Sequence, residues 1–275
     1  TEALKFAFEF RKKYPAVDVI DAYPFFADLR LIKEPYEIDL MRKAVKITTD
    51  GLEAMMKNAK PDMYEYELEA YFDFVLTKNG VTDKAFETIV ASGQRGTILH
   101  YCENNSKACD GDLVLVDCGA QFDWYNGDIT RTFPVNGKFT PLQKQIYDIV
   151  LAGQKKVIDT IKPGVKFSRL NEVLKEHYFE ELKAIGLVST FDDVSKYYFH
   201  GVSHYLGAET HDIGRYGDRR LEPGMVLTVE PGLYIEEYGI GIRIEDDALV
   251  TDDGCELLSE GFMKTTEEIE AFMGK

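Results

Sequence analysis

Leu113–Phe133, LVLVDCGAQFDWYNGDITRTF, carries the pattern on which the fold turns. An almost wholly apolar run closes on Asp117, the loop GAQFDWYN follows, and Asp128 opens a second strand signal that reaches Val135. A carboxylate closing a buried strand is costly unless it is paired, hydrogen-bonded or bound to a cation. Two of them at facing ends of one hairpin can point at a common cation. Taken alone, the same residues also fit a plainer reading, with Asp128 as the turn residue of Asn126-Gly127-Asp128 and Asp117 as a strand-end cap.

The surroundings of this hairpin repeat. Upstream, Ile38, Met41, Ala44, Val45, Thr48, Leu52 and Met55 fall near helical spacing and predict a long amphipathic helix from Pro35. After Lys60-Pro61 a second helix presents Leu68, Tyr71, Phe72, Val75 and Leu76, and stops at Asn79-Gly80. Strand signals follow at Phe86–Ala91, Asp112–Cys118 and Asp128–Val135, closed by an Asn136-Gly137 turn. Downstream come a helix from about Pro141 to Ile161, a Lys162-Pro163-Gly164 break, a helix from about Ser168 to Ile185, and strands near Met225–Val229 and Ile242–Val250. Two helices and a strand hairpin, twice, predict a duplicated α+β domain whose halves meet over a shared sheet. Ahead of it, residues 1–32 predict a helix at Ala3–Tyr14, a strand at Val17–Ile20 and a break at Pro24, too little for a core of their own.

The second half offers matching acids. Glu230 ends the apolar strand of GMVLTVEPGLYI, and Glu245 lies inside GIGIRIEDDALV. Strand alternation sets Ile240, Ile242, Ile244 and Asp246 on one face and Gly241, Arg243, Glu245 and Asp247 on the other. The competing reading is an Arg243–Glu245 salt bridge on the open side of a sheet. Between the helices and these strands lies HGVSHYLGAETHD, with His200, His204 and His211, three of the five histidines. Gly201 and β-branched Val202 make this segment a loop or strand rather than a helix. Four carboxylates and an imidazole form a hard, oxygen-rich donor set. It suits two divalent ions of the manganese or cobalt type better than a structural zinc. Two such ions side by side can activate water and polarise the carbonyl it attacks.

Bulk composition bounds the rest. The chain has 275 residues, 45% of them hydrophobic, enough for a sizeable core. Its net charge of −16 argues against nucleic acid or an anionic membrane as main partner, and favours a cationic or zwitterionic small substrate. Four cysteines without a CxxC pair point to reduced thiols and a cytoplasmic setting, and neither a membrane span nor a signal pattern is present in the sequence.

These motifs, in this order, resemble the pita-bread metallopeptidases, the fold of methionine aminopeptidase, Xaa-Pro dipeptidase (prolidase) and Xaa-Pro aminopeptidase (aminopeptidase P). The resemblance runs from Arg30-Leu31-Ile32-Lys33 onward. It implies two pseudo-symmetric halves of helices on a curved antiparallel sheet, and two divalent ions, foremost Mn2+ with Co2+ or Zn2+ as alternatives. The implied ligands are Asp117, Asp128, His204, Glu230 and Glu245. ILHYCEN around His100, HGVSHYLG, the separate His211-Asp212 and GIRIEDD are similar to the proline-specific branch. The resemblance then makes His100, His200 and His211 contacts for the substrate's carbonyls and proline end, and Arg243 a support for Asp117 or the substrate. Glu230 becomes the proton shuttle to the leaving nitrogen, and Tyr234 a further pocket residue.

The implied activity is removal of the first residue from peptides with proline second. Dipeptide-restricted cleavage is the alternative, and a non-catalytic binding protein of the same fold a more remote one. The implied domains are 1–32, a remnant or linker from an amino-terminal domain, and 33–275, the catalytic part, a homodimer at full length.

Overall fold

The computed structural model of the chain describes residues 1–274. Helices α1 (Glu2–Lys13), α2 (Tyr23–Leu31), α3 (Pro35–Asn58) and α4 (Glu65–Lys78) precede strands β1 (Ile89–Ser92), β2 (Leu113–Cys118), β3 (Gln121–Phe122), β4 (Tyr125–Asn126) and β5 (Ile129–Pro134). Then come α5 (Pro141–Thr160), α6 (Phe167–Ala184), β6 (Val226–Val229), β7 (Gly232–Ile235), β8 (Ile240–Arg243), β9 (Asp246–Val250), β10 (Cys255–Leu257) and α7 (Thr266–Met273).

Each half begins with a capped helix pair. Pro35 and Pro141 sit in the first turns of α3 and α5, where a missing N–H costs nothing, and Glu34/Glu37 and Thr140/Gln143 close reciprocal capping boxes. The second helix of each pair lies close because a glycine on the first makes room. A Cβ on Gly51 would stand 2.3 Å from the Phe72 ring, and one on Gly153 would stand 2.7 Å from Leu174 Cδ1. The pairs cover two antiparallel three-stranded sheets, ordered β1-β2-β5 and β10-β9-β6. The halves are joined where Glu245 N donates to Thr130 O at 3.0 Å and Thr132 Oγ1 donates to Arg243 O at 3.0 Å.

Four local expectations are corrected. Val17–Ile20 is not a strand: it has no pairing partner, and Val17 and Ile20 are exposed. Pro24 opens α2 rather than breaking the chain, since it stands in that helix's first turn. The GAQFDWYN loop is itself a hairpin, β3–β4, whose tip residues Asp123 and Trp124 take positive φ of 48° and 72°. The Ile242–Val250 strand is two strands, because β8 pairs with β7 whereas β9 pairs with β6. Glu245 therefore lies in the gap between strands, not inside one. The facing gap falls at Glu230-Pro231, where Pro231 has no N–H to continue the ladder.

Strand β6 gains a further partner in the histidine segment. Leu206 N donates to Val226 O, Thr228 N to His204 O and Glu230 N to Val202 O, so residues 202–206 run extended beside it. At the amino end, α1 buries no side chain and α2 buries only Ala27 and Leu31. Among the described residues no helix is long and apolar enough to cross a membrane.

Candidate metal centre

Asp117, Asp128, His204, Glu230 and Glu245 converge on one cavity of about 750 Å3, and His100, His200, His211 and Arg243 line it with them. The convergence follows from the breaks in pairing. Asp117 stands on β2 opposite Thr130, Asp128 immediately precedes β5, and Glu230 and Glu245 occupy the two strand gaps. His204 reaches in from the extended segment beside β6. Ligand atoms of Asp128, His204 and Glu245 lie within 4.8 Å of one another. His204 Nε2 is 3.5 Å from both Asp128 Oδ2 and Glu230 Oε1. Its other nitrogen, Nδ1, bonds the Tyr205 carbonyl at 3.1 Å, which fixes the ring and leaves Nε2 facing the carboxylates.

The electrostatics follow from this crowding. Burial, and then the neighbouring carboxylates Asp117 and Asp247, push the Asp128 carboxyl well above its usual range. Glu245 rises well above its own by burial and by Asp128, Glu230 and Asp117. Burial raises Glu230 too, against the pull of His204 and Arg243. Asp117 Oδ1 is buried without a hydrogen-bond partner among the described residues. Four acids around one arginine carry more negative charge than Arg243 offsets, and every one of them offers oxygen. Divalent cations fit that donor set.

Two imidazoles of the wall are held neutral by their surroundings. Burial, then Arg243, pulls His200 down to about 4, and burial, then His204 and His100, lowers His211. Tyr234 lies behind this wall, its hydroxyl 2.9 Å from both His200 Nε2 and Arg243 NH1. Three further residues support the acids, and two of them, Thr130 and Thr228, sequence reasoning passed over. Thr130 Oγ1 donates to Glu245 Oε2 at 2.6 Å, Asp247 Oδ2 accepts from Asp128 N at 3.0 Å, and Thr228 Oγ1 lies 3.4 Å from Glu230 Oε1. Strand period supplies the signal for each: Thr130 is two residues from Asp128, Thr228 two from Glu230, and Asp247 two from Glu245. All four cysteines are free, and Cys102 is in the cavity wall.

Known proteins resemble the chain in sequence and in fold. The chain is 43% identical to the Xaa-Pro aminopeptidase of Escherichia coli (strain K12) over 93% of its own length and 62% of that protein. It is 34% identical to the Xaa-Pro dipeptidase of Rattus norvegicus over 91% of its length, again 62% of the relative. A solved Bacillus anthracis structure, provisionally assigned as aminopeptidase P, superposes with TM-score 0.96 at 53% identity, covering all of this chain and 65% of that one. The chain thus spans a little under two thirds of these relatives, and its fold is the α+β pita-bread. The model of metallopeptidase family M24 matches residues 39–252, a span that holds every acid and histidine of the cavity, and the chain belongs to that family.

Proposed function

We propose that this chain hydrolyses the bond between the first residue of a peptide and a proline in second place, as a metal-dependent Xaa-Pro aminopeptidase. The observation that carries the reading is the meeting of Asp117, Asp128, His204, Glu230 and Glu245 at one cavity walled by three histidines. We assign those five as ligands of two divalent ions, Mn2+ foremost, with Co2+ or Zn2+ as alternatives. Bound there, such ions lower the pKa of water and polarise a carbonyl.

The chain's own groups do the remainder. Arg243 holds Asp117 in place through NH2 to Oδ2 at 2.6 Å. His200 and His211, neutral at physiological pH, offer hydrogen bonds to substrate carbonyls without repelling the cationic amino terminus, and His100 extends that wall. Glu230, its carboxylate facing the cavity, takes a proton from the attacking water and hands it to the proline nitrogen. An imide nitrogen leaves poorly until it is protonated, so an acid beside the scissile bond is required.

Xaa-Pro dipeptidase activity is the second reading, favoured by the likeness to the rat dipeptidase. Turnover of Xaa-Pro-Xaa tripeptides against Xaa-Pro dipeptides separates the two. Preference for the tripeptide is expected, and cleavage of the dipeptide alone would sink the aminopeptidase assignment. We further assign residues 33–275 as the catalytic domain and 1–32 as a linker, supported by the exposed α1. Free thiols support a cytoplasmic setting, and a homodimer is assigned to the full-length protein. The substrate is a peptide; nucleic acid and membrane are not assigned as partners, given the charge of −16.

A further inference from the structure

His211 is followed by one of the best-buried acids in the molecule. Asp212 is 3% exposed, and its partners come from the other end of the chain. Lys33 Nζ lies 3.1 Å from Asp212 Oδ2, with both side chains almost wholly out of water, and Arg30 NH2 pairs with Oδ1. Both cations belong to the passage from α2 into α3. Lys33 is anchored there by its own N–H, which donates to Gly224 O at 2.8 Å. Room for the ion pair is left by Gly207, where a Cβ would stand 2.2 Å from Asp212 Oδ2 and 2.9 Å from Lys33 Cε.

The pair is tied to the cavity by short links. His211 is the neighbouring residue, and its ring meets that of His204 with centroids 4.3 Å apart. Asp212 N donates to the Tyr205 carbonyl at 2.9 Å, the same oxygen that takes His204 Nδ1. A buried charge pair of this kind has one low-energy arrangement, since moving either partner leaves a charge uncompensated away from water.

We propose that Lys33 and Arg30, acting through Asp212, are positioning residues that fix His211 in the substrate wall, so that the connector ahead of α3 is a working part of the active site. The inference rests on the function proposed above for His211. It also sets Arg30, on the linker side of residue 33, among the residues that govern activity.

The test is a double-mutant cycle on a Xaa-Pro tripeptide, with the metal-loaded full chain. Lys33→Met leaves Arg30 to pair with Asp212, so the acid is not stranded. Asp212→Asn is a second route, which retains an oxygen to accept from Ile213 N. Either change is expected to raise KM and lower kcat/KM about tenfold, the scale of a small misplacement of a substrate contact. Metal content should stay at the wild-type level and Lys33→Arg should recover most of the loss. In a His211→Ala background, Lys33→Met should have no further effect. Equal loss in both backgrounds, or a wild-type KM in Lys33→Met and Asp212→Asn alike, overturns the proposal and leaves the aminopeptidase reading standing. A His211→Ala variant with wild-type kinetics removes His211 from the substrate wall, and this proposal with it.

Discussion

Arg243 of β8 donates from NH2 to Asp117 Oδ2 of β2 at 2.6 Å, a contact that joins the two halves of the molecule at the edge of the cavity. The same guanidinium reaches Tyr234 OH through NH1 and Thr130 Oγ1 through Nε. Arg243→Met should therefore release Asp117, Tyr234 and Thr130 together. Steady-state kinetics should register a fall of about ten- to a hundredfold in kcat/KM, the range for loss of a residue that orients a metal ligand. Arg243→Lys keeps the charge but not the three-way geometry, and should recover only part of it.

Removal of divalent ions should destabilise the folded chain. Three buried acids whose protons are held tightly in the absence of a cation will release them to bind one. Thermal melting with and without chelator should show a rise in Tm on adding Mn2+, worth about 2.7 kcal/mol at a hundred times Kd. Asp128→Asn should remove most of that rise, and Glu245→Gln likewise. Metal-independent melting would refute the assignment of ligands.

Behind the site, Asp246 is wholly buried and holds Arg131 at 2.7 Å, Lys264 at 2.8 Å and Ser259 at 2.5 Å. Burial works against its charge, but Arg131 and Lys264 outweigh that and hold its pKa below the usual range. Arg131 NH1 also donates to the carbonyl of Glu245, which fixes the backbone of the gap. Arg131→Met leaves Lys264 to compensate Asp246 but strips donors from the carbonyls of Glu245 and Met263, and should cost about 1–3 kcal/mol in urea unfolding. A loss under ~1 kcal/mol would contradict this reading of the network.

His177 of α6 should make stability depend on pH in mild acid. Its Nε2 donates to Ile149 O at 2.9 Å, and burial lowers its pKa. The unfolded chain therefore takes up the proton first as pH falls. Stability is complete above the unfolded pKa of about 6.5 and is lost as pH drops toward the folded value, by at most about 1.4 kcal/mol per pH unit. His177→Gln should flatten that slope in chemical denaturation between pH 7 and 5. An unchanged slope would show that other groups carry it.

Local pattern made much of this molecule legible. Hydrophobic period, with the proline breaks and the Asn79-Gly80 stop, marked α3, α4, α5 and α6 to within a residue or two at most ends, and apolar runs closed by acids marked Asp117 and Glu230. What escaped depends on partners distant in the chain. Nothing near Glu245 announces that the strand changes partners there, because the break is set by pairing with β7 on one side and β6 on the other. The hairpin inside GAQFDWYN escaped because Trp124 is not a residue expected at positive φ. Thr130 escaped as well: its bond to Glu245 spans 115 residues.

The sequence by itself determined which residues are chemically capable, since a carboxylate at the end of an apolar strand is costly in any fold and the two halves repeat one pattern. Only the tertiary structure decided that these acids share one cavity with His204, that Arg243 faces Asp117, and that Lys33 locks Asp212. Burial and mutual repulsion, which set the proton affinities of Asp128, Glu230 and Glu245, exist only once the halves close on each other and exclude water.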